Sequence, residues 1–455
     1  MSVETTEVVL AREGEYRVEV PPQTEVGIKL KSGSAELFGV ELAIDREYTF
    51  RDRKLAIFTW YGCTLEVRGA PEVAYTSEET PMDSYLNIHA QLQRRRELAK
   101  AKHATGPRVL VCGPVDSGKS TLTQLLVNYA LRLGEKPTLV ELDVGNGCLS
   151  VPGTLSASPL DMNSLSIEED YILTNPLAFF YGHAASSENV ELFRFQQQQL
   201  AKAVKRRLTN DEEVNASGCV INTCGWVDGT GFDLLVHAIK DFEVDVVLVI
   251  GQDRLYSRLQ SSLTGPNMNV VKLARSGGVV PLSSKLRSAA RISCIREYFY
   301  GAHSLSVAIP TLSPCINEFS FEDVSFFAIK GAPGLLVLLF CLPYLTHLYF
   351  RYLDMKVSDV MLPVGQVETQ SDRLRVVPVE KTADLGHSLA AVAHPRHGQD
   401  ASSSTDLSWM LGAPAAGFVF IKEVRVADQK LVLLVPSPGP LPSRNLLVGS
   451  IKWME

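Results

Sequence analysis

The segment GPVDSGKST, residues 113–121, constrains the fold more than any other part of the sequence. Gly113, Gly118, Lys119 and Ser120 fill the pattern GxxxxGK[ST], in which glycines let backbone N–H groups turn toward a phosphate. The apolar run RVLVC precedes this loop, and the amphipathic segment TLTQLLVNYALRLG follows it. A strand, a glycine-rich loop and a helix in this order predict a nucleotide-binding P-loop in a parallel α/β sheet.

The side chains of this loop have predicted roles toward a triphosphate and its metal. Lys119 supplies a cation for the β- and γ-phosphates, the Ser120 hydroxyl coordinates Mg²⁺, and Thr121 lies within reach of the α-phosphate. Asp143, at the end of the apolar strand TLVELDV, is the candidate for a second metal ligand, with a turn residue as the alternative. The loop residues predicted to contact ATP are Asp116, Ser117, Gly118, Lys119, Ser120 and Thr121.

Length and composition indicate several folded domains. The 455 residues exceed the roughly 250–300 at which a single core splits, so two or three domains are expected. With 45% hydrophobic and 21% charged residues, the composition excludes a disordered or fibrous chain. The net charge of −7 means that binding of RNA requires local clusters of Lys and Arg rather than bulk attraction. The cysteines show no metal-ligand spacing and are predicted to be reduced thiols.

The pattern of apolar and polar residues divides the sequence into three parts. Short alternating runs such as EYRVEV and KLAIFTW predict a small all-β domain, followed by a connecting helix over Asp83–Lys102. Apolar strands then alternate with helices until IREYFYG, after which runs such as GFVFIKEV and KLVLLVPSP predict further strands. We therefore expect domains at residues 1–100, 101–301 and 302–455.

Ordered motifs recur along most of the chain: AELFGVEL, IFTWYGC, GPVDSGKST, VELDVGNG, SGCVINTCGWVDGTG, SGGVV, IREYFYG and FEDVSFFAIKGAP. Together they resemble the polyribonucleotide 5′-hydroxyl-kinase family, the ATP-binding subunit of the pre-mRNA 3′-end cleavage factor. The resemblance covers residues 7–333 and 360–455. It implies an α/β protein in which a central P-loop domain with a parallel sheet is flanked by an N-terminal β-sandwich and a small C-terminal mixed domain.

The resemblance also implies residue roles, partners and a location. Glu15 and Lys54 match positions that contact the nucleotide, and Phe38 lies where an aromatic ring could stack on adenine. Trp226, in INTCGW, matches the residue that stacks on the first base of an RNA 5′ end, with a core tryptophan as the alternative. The implied partners are RNA 5′ ends, the scaffold subunit of the cleavage factor and, as a further candidate, the tRNA-splicing endonuclease. The implied location is the nucleus.

Two departures from the family pattern concern catalysis. Asn146 replaces the glutamine of the ELDVGQG element, so its side chain is one methylene shorter. The family carries two lid arginines five residues apart, whereas here Leu282 takes the first position and Arg287 the second. Arg291 is a candidate substitute. Because a lid arginine can supply about 10³ or more in rate, its loss could leave an ATP-binding protein with little kinase activity.

Two functions therefore remain open. In the first, an RNA kinase uses Lys119, Asp143 and Arg287 as catalytic residues, and Asp143 or Asp116 orients the attacking hydroxyl. In the second, ATP is a structural ligand of a scaffold subunit, which the two departures favour. A GTPase switch is not favoured, because no NKxD guanine signature ends a strand.

An anomalous apolar insert near residues 334–359 separates matching blocks. Its core, GLLVLLFCLPYLTHLYF at residues 334–350, contains Pro343, Thr346 and His347, whereas a membrane span needs about 20 steadily apolar residues. We therefore expect no membrane association. The run could instead form a surface hairpin helix or come from a translated intron, and the intron is favoured because the run has no evident structural purpose.

Overall fold

The computed structural model describes residues 5–454 except 23, 169–170, 174–175, 264, 266–267, 302–311, 332–373 and 395–406. The insert near 334–359 falls outside the described residues, so the interpretations of that run stay predictions. Within the described ranges, no helix is long and apolar enough to cross a bilayer.

The N-terminal domain is a β-sandwich, which confirms the all-β domain predicted from the alternating runs and the sandwich implied by the resemblance. One sheet has the strand order β1-β8-β3-β6 and the other β5-β4-β7-β2-β9. Alternate residues point into the space between the sheets, where Ile28, Ile57 and Leu65 have no exposed surface. The strands are β1 Thr5–Leu10, β2 Glu15–Val20, β3 Val26–Gly33, β4 Glu36–Leu37, β5 Val40–Glu41, β6 Glu47–Phe50, β7 Arg53–Phe58, β8 Cys63–Arg68 and β9 Val73–Ser77.

The connecting helix α1 spans Met82–Ala101 and confirms the predicted helical segment. It is anchored by buried polar groups rather than by an apolar stripe alone. Arg96 is only 1% exposed, and its Nε donates to the carbonyl of Ser217 at 3.0 Å. The carboxylate of Glu135 accepts from Gln93 at 2.9 Å and from Lys100 at 2.8 Å. These contacts fix the helix against the central domain.

The central domain contains a sheet of order β13-β12-β11-β14-β10-β15-β16. The strands from β11 to β16 in this order run parallel, as expected, but β12 and β13 add an antiparallel edge that the sequence did not indicate. The strands are β10 Arg108–Cys112, β11 Thr138–Glu141, β12 Thr154–Pro159, β13 Leu177–Phe180, β14 Cys219–Asn222, β15 Val246–Ile250 and β16 Asn269–Leu273. The helices are α2 Lys119–Arg132, α3 Val190–Asn210, α4 Glu212–Ser217, α5 Thr230–Asp241, α6 Asp253–Ser262 and α7 Ser284–Tyr300.

The C-terminal domain is a largely antiparallel sheet of order β17-β22-β21-β20-β23-β18-β19, with β18 and β23 parallel. It packs on α7, where the ring of Phe299 stacks on Trp453 with centroids 5.6 Å apart. The strands are β17 Cys315–Ser320, β18 Ser325–Gly331, β19 Leu374–Val379, β20 Ser388–Ala393, β21 Ala415–Arg425, β22 Lys430–Val435 and β23 Asn445–Lys452. Short 3-10 turns lie at Met162–Ser164, Ala383–Leu385 and Ser408–Gly412.

The sandwich also contacts α2, the helix that follows the predicted phosphate loop. The Nδ2 of Asn128 donates to the carbonyl of Phe38 at 2.9 Å, and Arg132 contacts Glu36 at 3.1 Å. The hydroxyl of Tyr129 also donates to the buried carboxylate of Glu36. Asn128, Tyr129 and Arg132 lie in the second half of α2, so the sandwich packs along the end of the helix that is further from the predicted phosphate loop.

Candidate nucleotide and phosphoryl-transfer site

The loop between β10 and α2 has the backbone of a phosphate cradle, a name we use for residues 113–121. Gly118 has a φ of +91°, and a Cβ at Gly113 would lie 2.7 Å from the carbonyl oxygen of Ile250, so both positions require glycine. The hydroxyls of Ser117 and Thr123 are buried and have no hydrogen-bond partner among the described residues. Buried polar groups normally have partners, so these orphan groups fit a ligand rich in acceptor oxygens.

Lys119 is the first residue of α2 and is only 7% exposed. Its Nζ donates to the carbonyl of Pro114 at 2.7 Å, so the side chain folds back onto the cradle. Burial holds the pKa of Lys119 below its usual range, while the negative charge of Asp143 acts in the opposite direction. The ammonium is therefore short of compensating charge, which phosphate oxygens at the cradle would provide.

The hydroxyl of Ser120 faces the neighbouring strand β14. Asn222, at the end of β14, pairs in register beside Val111 of β10, and its Nδ2 donates to Ser120 Oγ at 3.1 Å. Asp143 follows β11, which is separated from β10 by β14. Its Oδ1 accepts from the N–H of Gly145 at 3.0 Å. The structure thus links Ser120 directly to Asn222 on the neighbouring strand β14. Asp143 follows β11, which is the next strand beyond β14.

Glu141 is a residue of this site that sequence reasoning missed. It is 2% exposed, and its carboxylate accepts from Asn222 Nδ2 at 3.0 Å and from Asn146 Nδ2 at 3.0 Å. The backbone N–H of Asp143 also donates to it at 2.8 Å. Burial, and then the negative charge of Asp143, raise the pKa of Glu141 to about 7. The signal was an acid inside the apolar run TLVEL, a position where an unpaired carboxylate is costly.

The oxygen atoms around Ser120 suit a magnesium ion that is bound together with phosphates. Asn222 Oδ1 is buried without a hydrogen-bond partner in the part of the chain that the structure describes. Within that part, no group of three or more His, Cys, Asp or Glu side chains could hold a metal ion by itself. Mg²⁺ commonly uses one or two carboxylates with substrate phosphates and water, so Ser120 and Asp143 could hold it with a nucleotide. Beside Ser120 lies a cavity of about 160 Å³. It is lined by Ser120, Thr123, Gln124, Leu139, Glu141, Asn146, Cys148, Tyr171 and Asn222.

Residues 279–291, which we call the lid, contact the cradle at Asp116. The Nη2 of Arg287 donates to Asp116 Oδ2 at 2.6 Å, and the backbone N–H of Leu282 donates to the same oxygen at 3.1 Å. The structure therefore brings Arg287 to the cradle, as expected of a lid arginine. Leu282 contributes its backbone here and offers no cation.

Arg291 lies on the helical face of α7 that is turned toward the site. One turn earlier Arg287 contacts the cradle, and one turn later Cys294 Sγ donates to the carbonyl of Gly147 at 3.3 Å. Residues spaced by three and four share a helical face, so Arg291 lies between these two contacts. It is half-buried, and its position supports its candidacy as a second cation near the site.

Of the nucleotide contacts implied for the first domain, Glu15 lies at the boundary with the central domain. Its carboxylate pairs with Arg17 at 2.6 Å, and both side chains are buried. A Cβ at Gly278 would lie 2.6 Å from the Nε of Arg17, so this guanidinium presses against the loop that leads to the lid. The pair thus joins the sandwich to the segment just before residue 279.

Lys54 and Phe38 have other surroundings. The Nζ of Lys54 pairs with Glu19 at 2.8 Å, and the strand register sets this pair four residues from Glu15. At about 3.3 Å per residue, that separation is about 13 Å along the strand. Phe38 has a φ of +46° and packs partly against the sandwich core. The register therefore separates Lys54 from Glu15, and the contacts of Lys54 and Phe38 with a nucleotide stay predictions.

Trp226 follows β14 and is half-buried against the core of the central domain. A Cβ at Gly231 would lie 2.6 Å from its Cγ, so the start of α5 supports one side of the indole. This environment combines features of a stacking platform and of a core tryptophan, because part of the ring packs and part remains exposed. Its role in RNA binding stays a prediction.

The parallel sheet, the glycine cradle with a buried lysine and the serine beside a strand-end amide define a nucleotide-binding protein of the P-loop class. Models of three domain families match the chain in order. They are the N-terminal beta-sandwich domain of polyadenylation factor at residues 9–99, the mRNA cleavage and polyadenylation factor CLP1 P-loop at 113–301, and the pre-mRNA cleavage complex II protein Clp1 at 312–455. The chain belongs to the Clp1 family, which confirms the resemblance inferred from its motifs.

Individual relatives agree with this assignment. The chain is 40% identical to a protein CLP1 homolog of Arabidopsis thaliana, over 100% of this chain and 95% of the relative. It is 38% identical to the polyribonucleotide 5′-hydroxyl-kinase Clp1 of Homo sapiens, over 99% and 97% respectively. A solved complex of wild-type Clp1p with Pcf11p matches with a TM-score of 0.76 at 25% identity, covering 100% of both chains.

Proposed function

We propose that this chain binds Mg²⁺–ATP between its first two domains as the ATP-binding subunit of the nuclear pre-mRNA 3′-end cleavage and polyadenylation machinery. The observation that carries the proposal is the intact cradle, with Lys119 buried and the Ser120 hydroxyl held by Asn222. Family membership along the whole chain supports the role in mRNA processing. Residues 1–100, 101–301 and 302–455 are the proposed domains.

We further propose that the bound nucleotide is used for slow phosphoryl transfer to RNA 5′-hydroxyl ends. Mg²⁺, when bound, supplies charge neutralisation at the β- and γ-phosphate oxygens. Lys119 would exchange the Pro114 carbonyl for phosphate oxygens, and Asp143 would orient the hydroxyl and accept its proton. The 5′ oxygen then bonds to the γ-phosphorus while the bond to the bridging oxygen of ADP breaks. Arg287 would turn from Asp116 to the transferred group.

The alternative function is a scaffold subunit in which ATP stabilises the domain boundary and is not consumed. Leu282 favours it, because this lid position contacts Asp116 through its backbone N–H and brings no cation to the phosphoryl group. Asn146 favours it as well, because its amide already donates to Glu141. Under this alternative the nucleotide adds stability by binding only the folded state.

The proposed partners are a scaffold subunit of the cleavage factor and RNA 5′ ends. The solved structures of Clp1p together with Pcf11p support the first, since their fold covers the whole of this chain. The half-exposed indole of Trp226 supports the second. The tRNA-splicing endonuclease is proposed on the family resemblance alone.

One experiment separates these functions. ATP binding is measured by calorimetry, and transfer from labelled ATP to a 5′-hydroxyl oligoribonucleotide is followed in the same preparation, with a DNA oligonucleotide for comparison. We expect saturable ATP binding with slow transfer. An absence of ATP binding would contradict both functions, whereas rapid transfer would exclude the scaffold function.

A further inference from the structure

We use the name metal–phosphate site for the cradle together with Asp143 and Asn222. A buried carboxyl next to this site, that of Glu141, has no role in the functions described above. Glu141 ends β11, and Asn222 ends the neighbouring strand β14, opposite it in register. Asn222 Nδ2 is 3.0 Å from each carboxylate oxygen of Glu141 and 3.1 Å from Ser120 Oγ. One amide therefore connects Glu141 to the hydroxyl at the start of α2.

The other contacts of Glu141 also lead to the site. Its Oε1 accepts from the backbone N–H of Asp143 at 2.8 Å, and its Oε2 accepts from Asn146 at 3.0 Å. The thiol of Cys148 lies 3.3 Å from Oε2. A carboxyl in a fully buried strand costs free energy unless such partners compensate it. All of these partners belong to the site or to the turn that follows β11.

We propose that Glu141 is a positioning residue of the metal–phosphate site, acting on Ser120 through Asn222 and on Asp143 through its backbone N–H. This role rests on the proposed binding of Mg²⁺–ATP. Glu141 needs no contact with nucleotide or metal, because it sets where the Ser120 oxygen and the Asp143 turn lie. Residues that orient metal ligands in this way typically contribute about 10- to 100-fold to metal affinity.

The test uses the Mg²⁺ dependence of ATP affinity, which does not require kinase activity. Glu141→Gln keeps the side-chain volume but replaces one acceptor oxygen with an N–H₂ group. That group would face a donor, either the backbone N–H of Asp143 or the amide of Asn146, so the set of contacts around residue 141 cannot be kept. We expect ATP affinity in Mg²⁺ to fall about tenfold or more, and ATP affinity in EDTA to stay unchanged. Calorimetry in the two buffers measures both quantities on the full chain.

Glu135→Gln is the matched control. Glu135 is 3% exposed and hydrogen-bonded to Gln93, Lys100 and Ser217, so its variant also removes a buried, paired carboxylate. Its partners lie on α1 and α4, and none of these three lies in the cradle. We expect this variant to lower the melting temperature while the ratio of ATP affinities in Mg²⁺ and EDTA stays that of the parent.

A second arm exchanges the two groups. Asn222→Asp combined with Glu141→Gln restores one donor facing one acceptor, and we expect it to recover part of the Mg²⁺-specific loss. If Glu141→Gln does not fold, Glu141→Asp retains the charge but withdraws the carboxylate from Asn222 by one methylene, and it must show the same Mg²⁺-specific loss.

The outcomes distinguish the two proposals. An unchanged ratio of affinities in Glu141→Gln, or a ratio that falls equally in Glu135→Gln, overturns the positioning role and leaves the proposed function intact. A parent protein whose ATP binding ignores Mg²⁺ would contradict the proposed metal site and this role with it.

Discussion

The cradle and the lid lie against each other, yet they depart from the family pattern to different degrees. The cradle keeps each residue of the GxxxxGK[ST] pattern, with the two glycines in positions that a Cβ would strain or obstruct. The lid reaches the cradle through Arg287 and the backbone of Leu282, both on Asp116. At the other position where the family resemblance implies an arginine, the lid has Leu282. In the proposed function, ATP affinity therefore rests mainly on the cradle, whereas the rate of phosphoryl transfer also depends on the lid.

This difference has a physical consequence. In the proposed function, the cradle would contact phosphates that are present in the ground state, so its groups would determine how tightly ATP binds. A lid cation acts on charge that develops during transfer, and only such interactions raise the rate of the chemical step. A chain with an intact cradle and a weakened lid should bind ATP well and transfer its phosphoryl group slowly.

The largest expected effect tests the cradle. Lys119→Ala removes the side-chain cation of a loop that otherwise offers backbone dipoles, and we expect ATP affinity to fall about 100-fold, or beyond detection. The stabilisation by ATP should vanish as well, since a ligand at 100 times its Kd adds about 2.7 kcal/mol to the free energy of unfolding. Calorimetry and thermal unfolding with and without ATP measure both.

Lys136→Ala is the control for Lys119→Ala, because Lys136 is exposed and pairs with Glu213 beyond the end of α2. Its ATP affinity should equal that of the parent. If Lys119→Ala bound ATP as tightly as the parent, the phosphates would lie elsewhere.

The second prediction restores the lid. Leu282→Arg adds a guanidinium five residues before Arg287, and we expect the rate of transfer to a 5′-hydroxyl oligoribonucleotide to rise about tenfold or more. ATP affinity should change little by comparison, because the added charge acts during transfer. Single-turnover kinetics together with calorimetry separate the two effects.

Leu286→Arg adds the same charge at an exposed position of α7 and should leave the rate unchanged. An equal gain from both variants would indicate bulk electrostatics instead of a lid contact. Rapid transfer by the unmodified protein would show that another cation, with Arg291 the first candidate, already serves the site.

The cradle could be predicted from the sequence because its chemistry is local. Strand, loop and helix follow one another in the chain, and the glycine positions are fixed by backbone conformation. The sandwich and the helix α1 were predictable for the same reason, since alternation and helical spacing are short-range patterns. The departure at Leu282 was inferred from the family resemblance and stays a prediction.

The rest of the site depends on contacts between distant segments. Glu141 and Asn222 meet because β11 and β14 are neighbours, and no pattern within either strand reveals that pairing. The same holds for Asp116, which meets Arg287 only when the lid packs on the cradle. The antiparallel edge formed by β12 and β13 was missed because short apolar runs do not indicate strand direction.

The third prediction tests the acceptor side of the transfer reaction. Trp226→Ala should lower affinity for a single-stranded RNA 5′ end about tenfold, since stacking on one base contributes about 1–3 kcal/mol. ATP affinity should not change, because the cradle is formed by other residues. Trp226→Phe keeps a stacking ring and should retain most of the RNA affinity. A fall in both affinities, with a lower melting temperature, would instead identify the indole as core packing.

The smallest expected effect concerns Asn146, the second departure from the family pattern. Both ends of its amide are engaged: Nδ2 donates to Glu141 at 3.0 Å, and Oδ1 accepts from the N–H of Gly147 at 3.0 Å. Asn146→Gln is longer by one methylene and cannot keep both contacts, so its amide should extend into the cavity beside Ser120. We expect transfer to rise about two- to tenfold, the range of one neutral hydrogen bond, with ATP affinity unchanged.

Asn146→Ala is the control for this gain. It removes the amide that donates to Glu141 without adding a longer one, so it shows the effect of losing that contact alone. Residues 146 and 282 lie on different segments and contact different groups, so the effects of Asn146→Gln and Leu282→Arg on the logarithm of the rate should add. A slower rate in Asn146→Gln would mean that the contact with Glu141 matters more than reach toward the substrate. Asn146 would then be one of the residues that hold Glu141 in place, and Leu282 alone would account for the slow rate of phosphoryl transfer.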